Sequence, residues 1–123
     1  MSAKLPPGEQ IGYSKNEFRA ILMVYSHYVF QGLFKDFSFS NHHGRYFVAF
    51  LEEAGRVPLV TIEKQYPAPD QVLFVATMPG MRGRLIEIAK SETIGPFIQQ
   101  LTNSIETLCQ TRAARPDVIF HTP

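Results

Sequence analysis

A chain of 123 residues with 12 Lys and Arg against 11 Asp and Glu is long enough for one domain and too short for two separate cores. The near-neutral balance excludes a protein held to duplex DNA mainly by bulk positive charge, and 45% apolar with 19% charged residues excludes a disordered or collagenous chain. Cys109 is the single cysteine, so an internal disulfide and a cysteine zinc finger are both excluded, and a reducing, cytoplasmic setting is expected.

In chain order, residues 1–13 read as a flexible arm: Met1 to Gln10 is polar, carries Pro6, Pro7 and Gly8, and lacks the apolar core of a signal peptide. Ser14 and Glu17 have the spacing of a capping box, which predicts a helix from about Lys15 to Gln31 with Gly32 as its stop. Phe18, Ile21, Leu22, Tyr25, Tyr28 and Val29 share one face, but Met23, Val24 and Phe30 continue the apolar surface around the cylinder. A helix this apolar is covered on more than one side, and Met23, Val24 and Phe30 are the expected oligomer interface. The longest apolar run, Ala20 to Tyr25, is far short of the roughly 18 residues of a spanning helix.

After Gly32 the pattern turns to period two. Strands are expected at Asp36–Ser40, Arg45–Leu51, Val57–Gln65, Gln71–Met78 and Arg84–Ala89, separated by turns rich in Gly, Pro, Asn and His. Pro96 suits a first helical turn, and Phe97, Ile98, Leu101, Ile105, Leu108 and Cys109 then line one face of an amphipathic helix to about Arg112. The domain is thus expected over residues 14–112, with a tail at 113–123. The expected fold class is α+β: a two-layer sandwich in which an antiparallel meander of four to five strands has one helix before and one after, α-β-β-β-β-β-α. Arg45–Leu51 is apolar at both parities, so a sheet face is left for a second copy or a stacked ligand.

Little in the chain points to catalysis. His42 and His43 are adjacent and diverge, so no metal site is expected. Cys109 sits on an apolar helix face, Ser26 and His27 diverge on theirs, and Glu52-Glu53 lies in a turn, so no nucleophile meets a base. The expectation is a non-enzymatic binding module with no cofactor. Met78 to Arg84 sets two arginines among glycines, either an anion-binding turn or a soluble hairpin.

The composition holds 10 Phe and 5 Tyr but no Trp. Rings on a sheet with cations at its rim are how single-stranded nucleic acids are held. The residues expected to do so are Arg45, Tyr46, Phe47, Arg56, Lys64, Arg82 and Arg84. The competing reading makes the rings plain core and the chain a homodimeric protein-interaction module or regulatory adaptor.

Two resemblances bear on this. The run EFRAILMVYSHYVFQGLFKDF, then VPLVTIEKQ and MRGRLIEIAKS, resembles a small alphaproteobacterial domain family of unknown function across roughly residues 17–108. Pro58 to Lys64 is the most specific part of that likeness. Arg45 to Gln65, then Arg82 to Cys109, is similar in pattern to the Pur-alpha and Whirly-like sheets. That likeness implies a dimer binding single-stranded DNA or RNA, with Arg45, Tyr46, Phe47 and Arg56 at the matching positions. The chain departs from it by a leading helix, an extra strand and the lack of a basic excess.

Overall fold

The computed structural model describes residues 12–52 and 58–113. Helix α1 (Lys15–Phe30) precedes strands β1 (Asp36–His42), β2 (Arg45–Leu51), β3 (Pro58–Gln65), β4 (Leu73–Pro79) and β5 (Leu85–Ser91), and helix α2 (Ile94–Ala113) follows. The strands form one antiparallel sheet in the order β1-β2-β3-β4-β5. This is the expected α-β-β-β-β-β-α arrangement, an open α+β sandwich. Residues 1–11 of the arm, Arg56 and residues 114–123 of the tail lie outside the described residues.

Local chemistry explains the boundaries. The Ser14 hydroxyl accepts from the Glu17 amide, and the Glu17 carboxylate accepts from the Ser14 amide, so two of the helix's orphan amides are satisfied reciprocally. At the other end of β1, His43 and Gly44 both take positive φ, 53° and 79°, the pairing that lets a two-residue turn follow the right-handed twist of a hairpin. This turn is shorter than the Asn41–Gly44 turn expected from sequence, because Asn41 and His42 stay paired to Tyr46 and Arg45. In α2, Pro96 lies in the first turn, where its missing amide costs no bond.

Register assigns the faces. Rows such as Phe39–Val48–Ile62–Ala76–Ala89 and Tyr46–Lys64–Phe74–Ser91 point toward the helices. There Ile21, Val24 and Tyr28 of α1 and Phe97, Leu101 and Ile105 of α2 close the core over them. The opposite face carries Ser40–Phe47–Glu63–Val75–Lys90 and Ser38–Ala49–Thr61–Thr77–Glu87. The doubly apolar pattern of Arg45–Leu51 recurs only in β4, with Leu73 and Val75 on the open face, and the open-face neighbours of β2 are serine, threonine and glutamate. Cross-strand partners, not the strand's own sequence, decide how apolar a face is.

Tyr13, assigned to the arm by sequence, belongs to the core. It is fully buried, and its hydroxyl donates to the Tyr46 carbonyl at 3.0 Å. Gly12 beside it has φ of +90°, and a Cβ there would collide with the Tyr46 ring. Only glycine serves at that close approach.

Candidate interaction surface

Helix α1 is locked to the sheet by charge as well as by packing. Lys64 on β3 is only 6% exposed, and its ammonium lies 2.7 Å from Glu17 Oε1. The rings of Tyr13, Tyr66 and Phe74 surround the ammonium at 5.5–5.8 Å, so cation–π contacts replace part of its lost hydration. Glu17 thus caps its own helix and neutralises a core lysine with one carboxylate. Next to it, Phe18 stacks on Phe39 and Tyr25 packs against Phe34, Phe37 and Phe50. Burial pushes the Tyr13 and Tyr28 hydroxyls far above the ordinary tyrosine range. The carboxylates of Glu63 and Glu17 add to this for Tyr13, and the Glu106 hydrogen bond and charge for Tyr28.

The outer side of α1 is left bare. Phe30 is 92% exposed and Met23 68%, and Val29 is exposed as well. A groove of about 600 Å³ runs along this side, floored by Phe18, Leu22, Met23 and Phe30 with Lys15 and Arg19 beside them. A second, of about 370 Å³, follows the seam with α2 and shares Met23 and His27. Contiguous exposed apolar surface of this kind marks a docking site more often than chance. Helix α2 differs: beyond Gly95 and Pro96 in its first turn, its described exposed positions Gln99, Gln100, Asn103, Thr107, Gln110 and Thr111 are all polar.

The two sheet edges differ in the same way. On β5, the Ile88 carbonyl accepts from the Ser104 hydroxyl at 2.8 Å, and the Lys90 amide donates to Gln100 Oε1 at 2.8 Å. These α2 side chains cover backbone groups that an edge strand would otherwise present. On β1 the two-residue turn sets the alternation, so Phe37, Phe39 and Asn41 direct their amides and carbonyls away from β2. The Phe37 amide is met by the Asp36 carboxylate. No described element pairs with the rest of that edge.

Among the described residues, those expected to form a nucleic-acid rim divide between the two ends of the sheet, Arg45 and Lys64 lining a cleft at one end. Arg45 opens β2, while Arg82 and Arg84 flank the β4–β5 hairpin at the other end of the strands. The seven residues of β4 separate the two ends, about 20 Å. Arg45 forms a two-bond contact to Glu63 at 2.7 and 3.1 Å and sits over Phe47. Lys64 is inside the core, and Tyr46 faces the helices. Of the seven, Phe47 alone puts a ring on the open sheet face. Arg82 and Arg84 are exposed on a turn in which Arg82 takes a φ of 60°. Of the expected oligomer residues, Met23 and Phe30 are exposed, whereas Val24 is buried against the α2 side of the core.

Sequence reasoning missed the Lys64–Glu17 pair, the capping of β5 by Ser104 and Gln100, and the open backbone of β1. Val60 and Ile62 alternate with Lys64, so period two alone could have placed Lys64 inward. Among the described residues no group of three or more His, Cys, Asp or Glu could hold a metal ion, and no helix is long and apolar enough to cross a membrane. Comparison of the chain with family models, curated proteins and solved structures finds no match.

Proposed function

We propose that this chain is a non-enzymatic protein-interaction module that works by docking the outer side of α1 on another protein surface, that of a second copy of itself. The observation that carries the reading is the 92% exposure of Phe30, at the end of a groove already floored by Phe18, Leu22 and Met23. Covering such side chains supplies roughly 25 cal/mol for each Å² removed from water, and the capping box and Lys64–Glu17 pair hold the helix rigid for it. Light scattering on the full chain tests this. The expected result is a dimer that Phe30→Glu and Met23→Glu weaken while leaving the circular dichroism spectrum unchanged. A monomer at all concentrations overturns the reading.

Single-stranded nucleic-acid binding rests on less. The rings of Phe37, Phe39, Tyr46 and Phe74 face the helices, and two of the expected cations, Arg45 and Lys64, are already paired with carboxylates. Fluorescence anisotropy with labelled single-stranded oligonucleotides at low salt is its test. Binding that weakens with added salt would restore it.

A further inference from the structure

We infer that the second copy docks edge to edge through β1, antiparallel about a two-fold axis, so that the sheet continues across the seam and α1 lies beside the α1 of the other copy. The inference rests on the protein-interaction reading and adds to its surface the β1 edge and the flank of α1 beside it.

Three observations lead to it. The first is the asymmetry of the sheet edges. At β5, Ser104 and Gln100 already occupy backbone groups a partner strand would need, whereas among the described residues β1 has no such cover beyond Asp36 at its start. An uncapped edge with alternating side chains is a template for one more strand.

The second is parity. The residues of β1 able to bond outward are Phe37, Phe39 and Asn41, all with odd numbers, so an antiparallel two-fold pairing is centred on Ser38, Phe39 or Ser40. Each of these keeps the phenylalanines on the helix side and the serines on the open side of both copies. Each also sets ring against ring or ring against amide across the seam, the kind of pair that stabilises adjoining strands. Phe39, 42% exposed at present, becomes covered.

The third is the distance between helices. The rings of α1 contact Phe37 and Phe39 of β1 and Phe50 of β2, so the helix lies over the β1–β2 pair. With strands about 4.8 Å apart, its two-fold mate lies about 10 Å away, the normal packing distance of two helices. By 100° steps from the buried Ile21, the flank overhanging β1 carries Phe18, Leu22 and Val29, all apolar.

Sedimentation equilibrium on the full chain, with two variants, decides it. Phe39→Pro removes an outward amide without touching a β1–β2 bond, and Val29→Glu charges the helix flank without touching the sheet. A wild-type dimer whose dissociation constant rises at least about tenfold in both variants, with far-UV spectra retained, supports the inference. Slowed hydrogen exchange at the Phe39 and Asn41 amides with rising protein concentration supports it independently. A dimer indifferent to both variants but broken by Phe30→Glu overturns the edge pairing and leaves the interaction reading standing. A wild-type monomer at every concentration overturns both.

Discussion

The two ends of the sheet are built on opposite plans. At the β5 end, α2 turns Phe97, Leu101 and Ile105 into the core and beyond its first turn exposes polar side chains among its described residues, while Gln100 and Ser104 reach down to the strand's backbone. At the β1 end, α1 is held by its cap, by Lys64 and by stacked rings, yet it leaves Met23, Val29 and Phe30 outside, and no described element caps the neighbouring strand beyond Asp36. Among the described residues the α2 side is closed by its own side chains, and the α1 side is anchored but leaves apolar surface open. Rigidity with an unsatisfied apolar surface is what a docking face requires, because little ordering remains to be done when the partner arrives.

The strongest way to break this comparison is to truncate one apolar side chain on each helix. Leu101→Ala on α2 removes a fully buried side chain and should cost about 3 kcal/mol in urea unfolding. Phe30→Ala removes a larger side chain and should change the stability of the monomer by no more than about 0.5 kcal/mol. Comparable losses would mean that Phe30 serves the fold and not a partner. Next in size, Glu17→Gln leaves the Lys64 ammonium buried without its counter-charge and should cost about 2 kcal/mol. That lies below the usual range for a buried pair because the Glu17 side chain is 19% exposed. Adding Lys64→Met should recover much of the loss, since an apolar residue of similar length suits that cage. No recovery would mean that the cap, not the ion pair, carries the effect.

Much of this was legible in the sequence, for local reasons. Ser14 and Glu17 announce the start of α1, and Arg45-Tyr46-Phe47-Val48-Ala49-Phe50-Leu51 is β2 to the residue. The meander order follows from short turns between period-two segments. What escaped depends on contacts distant in the chain. Lys64 finds its carboxylate 47 positions away, and the serine and glutamine that cap β5 read as ordinary helix-surface residues. The rings misled because an aromatic on a strand looks the same whether it faces a helix or water. The split of Arg45 from Arg82 was recoverable, since successive hairpins of a meander lie at alternate ends of the sheet.

Smaller substitutions sharpen the contrast between edges. Ser104→Ala removes the donor to the Ile88 carbonyl and should cost about 1 kcal/mol, and the uncovered edge should make the protein more prone to self-association at high concentration. A Ser104→Ala protein that associates no more than wild type would mean that the helix itself, without its hydroxyl, shields β5. At the α1–α2 junction, the Tyr28 hydroxyl donates to Glu106 at 2.6 Å. The Tyr28 hydroxyl titrates above its ordinary value of 10.0 in the folded state, through burial first and Glu106 second. The neutral form is therefore favoured by folding. Its stabilisation is complete below pH 10 and declines as pH rises further, because the unfolded chain loses that proton first. Tyr28→Phe should flatten part of the alkaline fall in melting temperature.

The smallest effect belongs to the pair on the open face. The Arg45 guanidinium, followed by the Gln65 amide, holds the Glu63 carboxyl below its ordinary value of 4.5 despite partial burial. A depressed folded value means that the carboxylate stabilises the fold above the ordinary glutamate range, and that this contribution is lost as the pH falls through the folded value. Melting temperatures of wild type and Glu63→Gln should therefore differ at neutral pH and converge in acid. The difference should be slight, because Arg45 is exposed to solvent and salt. A difference that persists unchanged into acid would assign the role of Glu63 to its packing beside Phe47 and not to its charge. In that case the open face would be held by shape alone, and Arg45 would be available to an outside ligand after all.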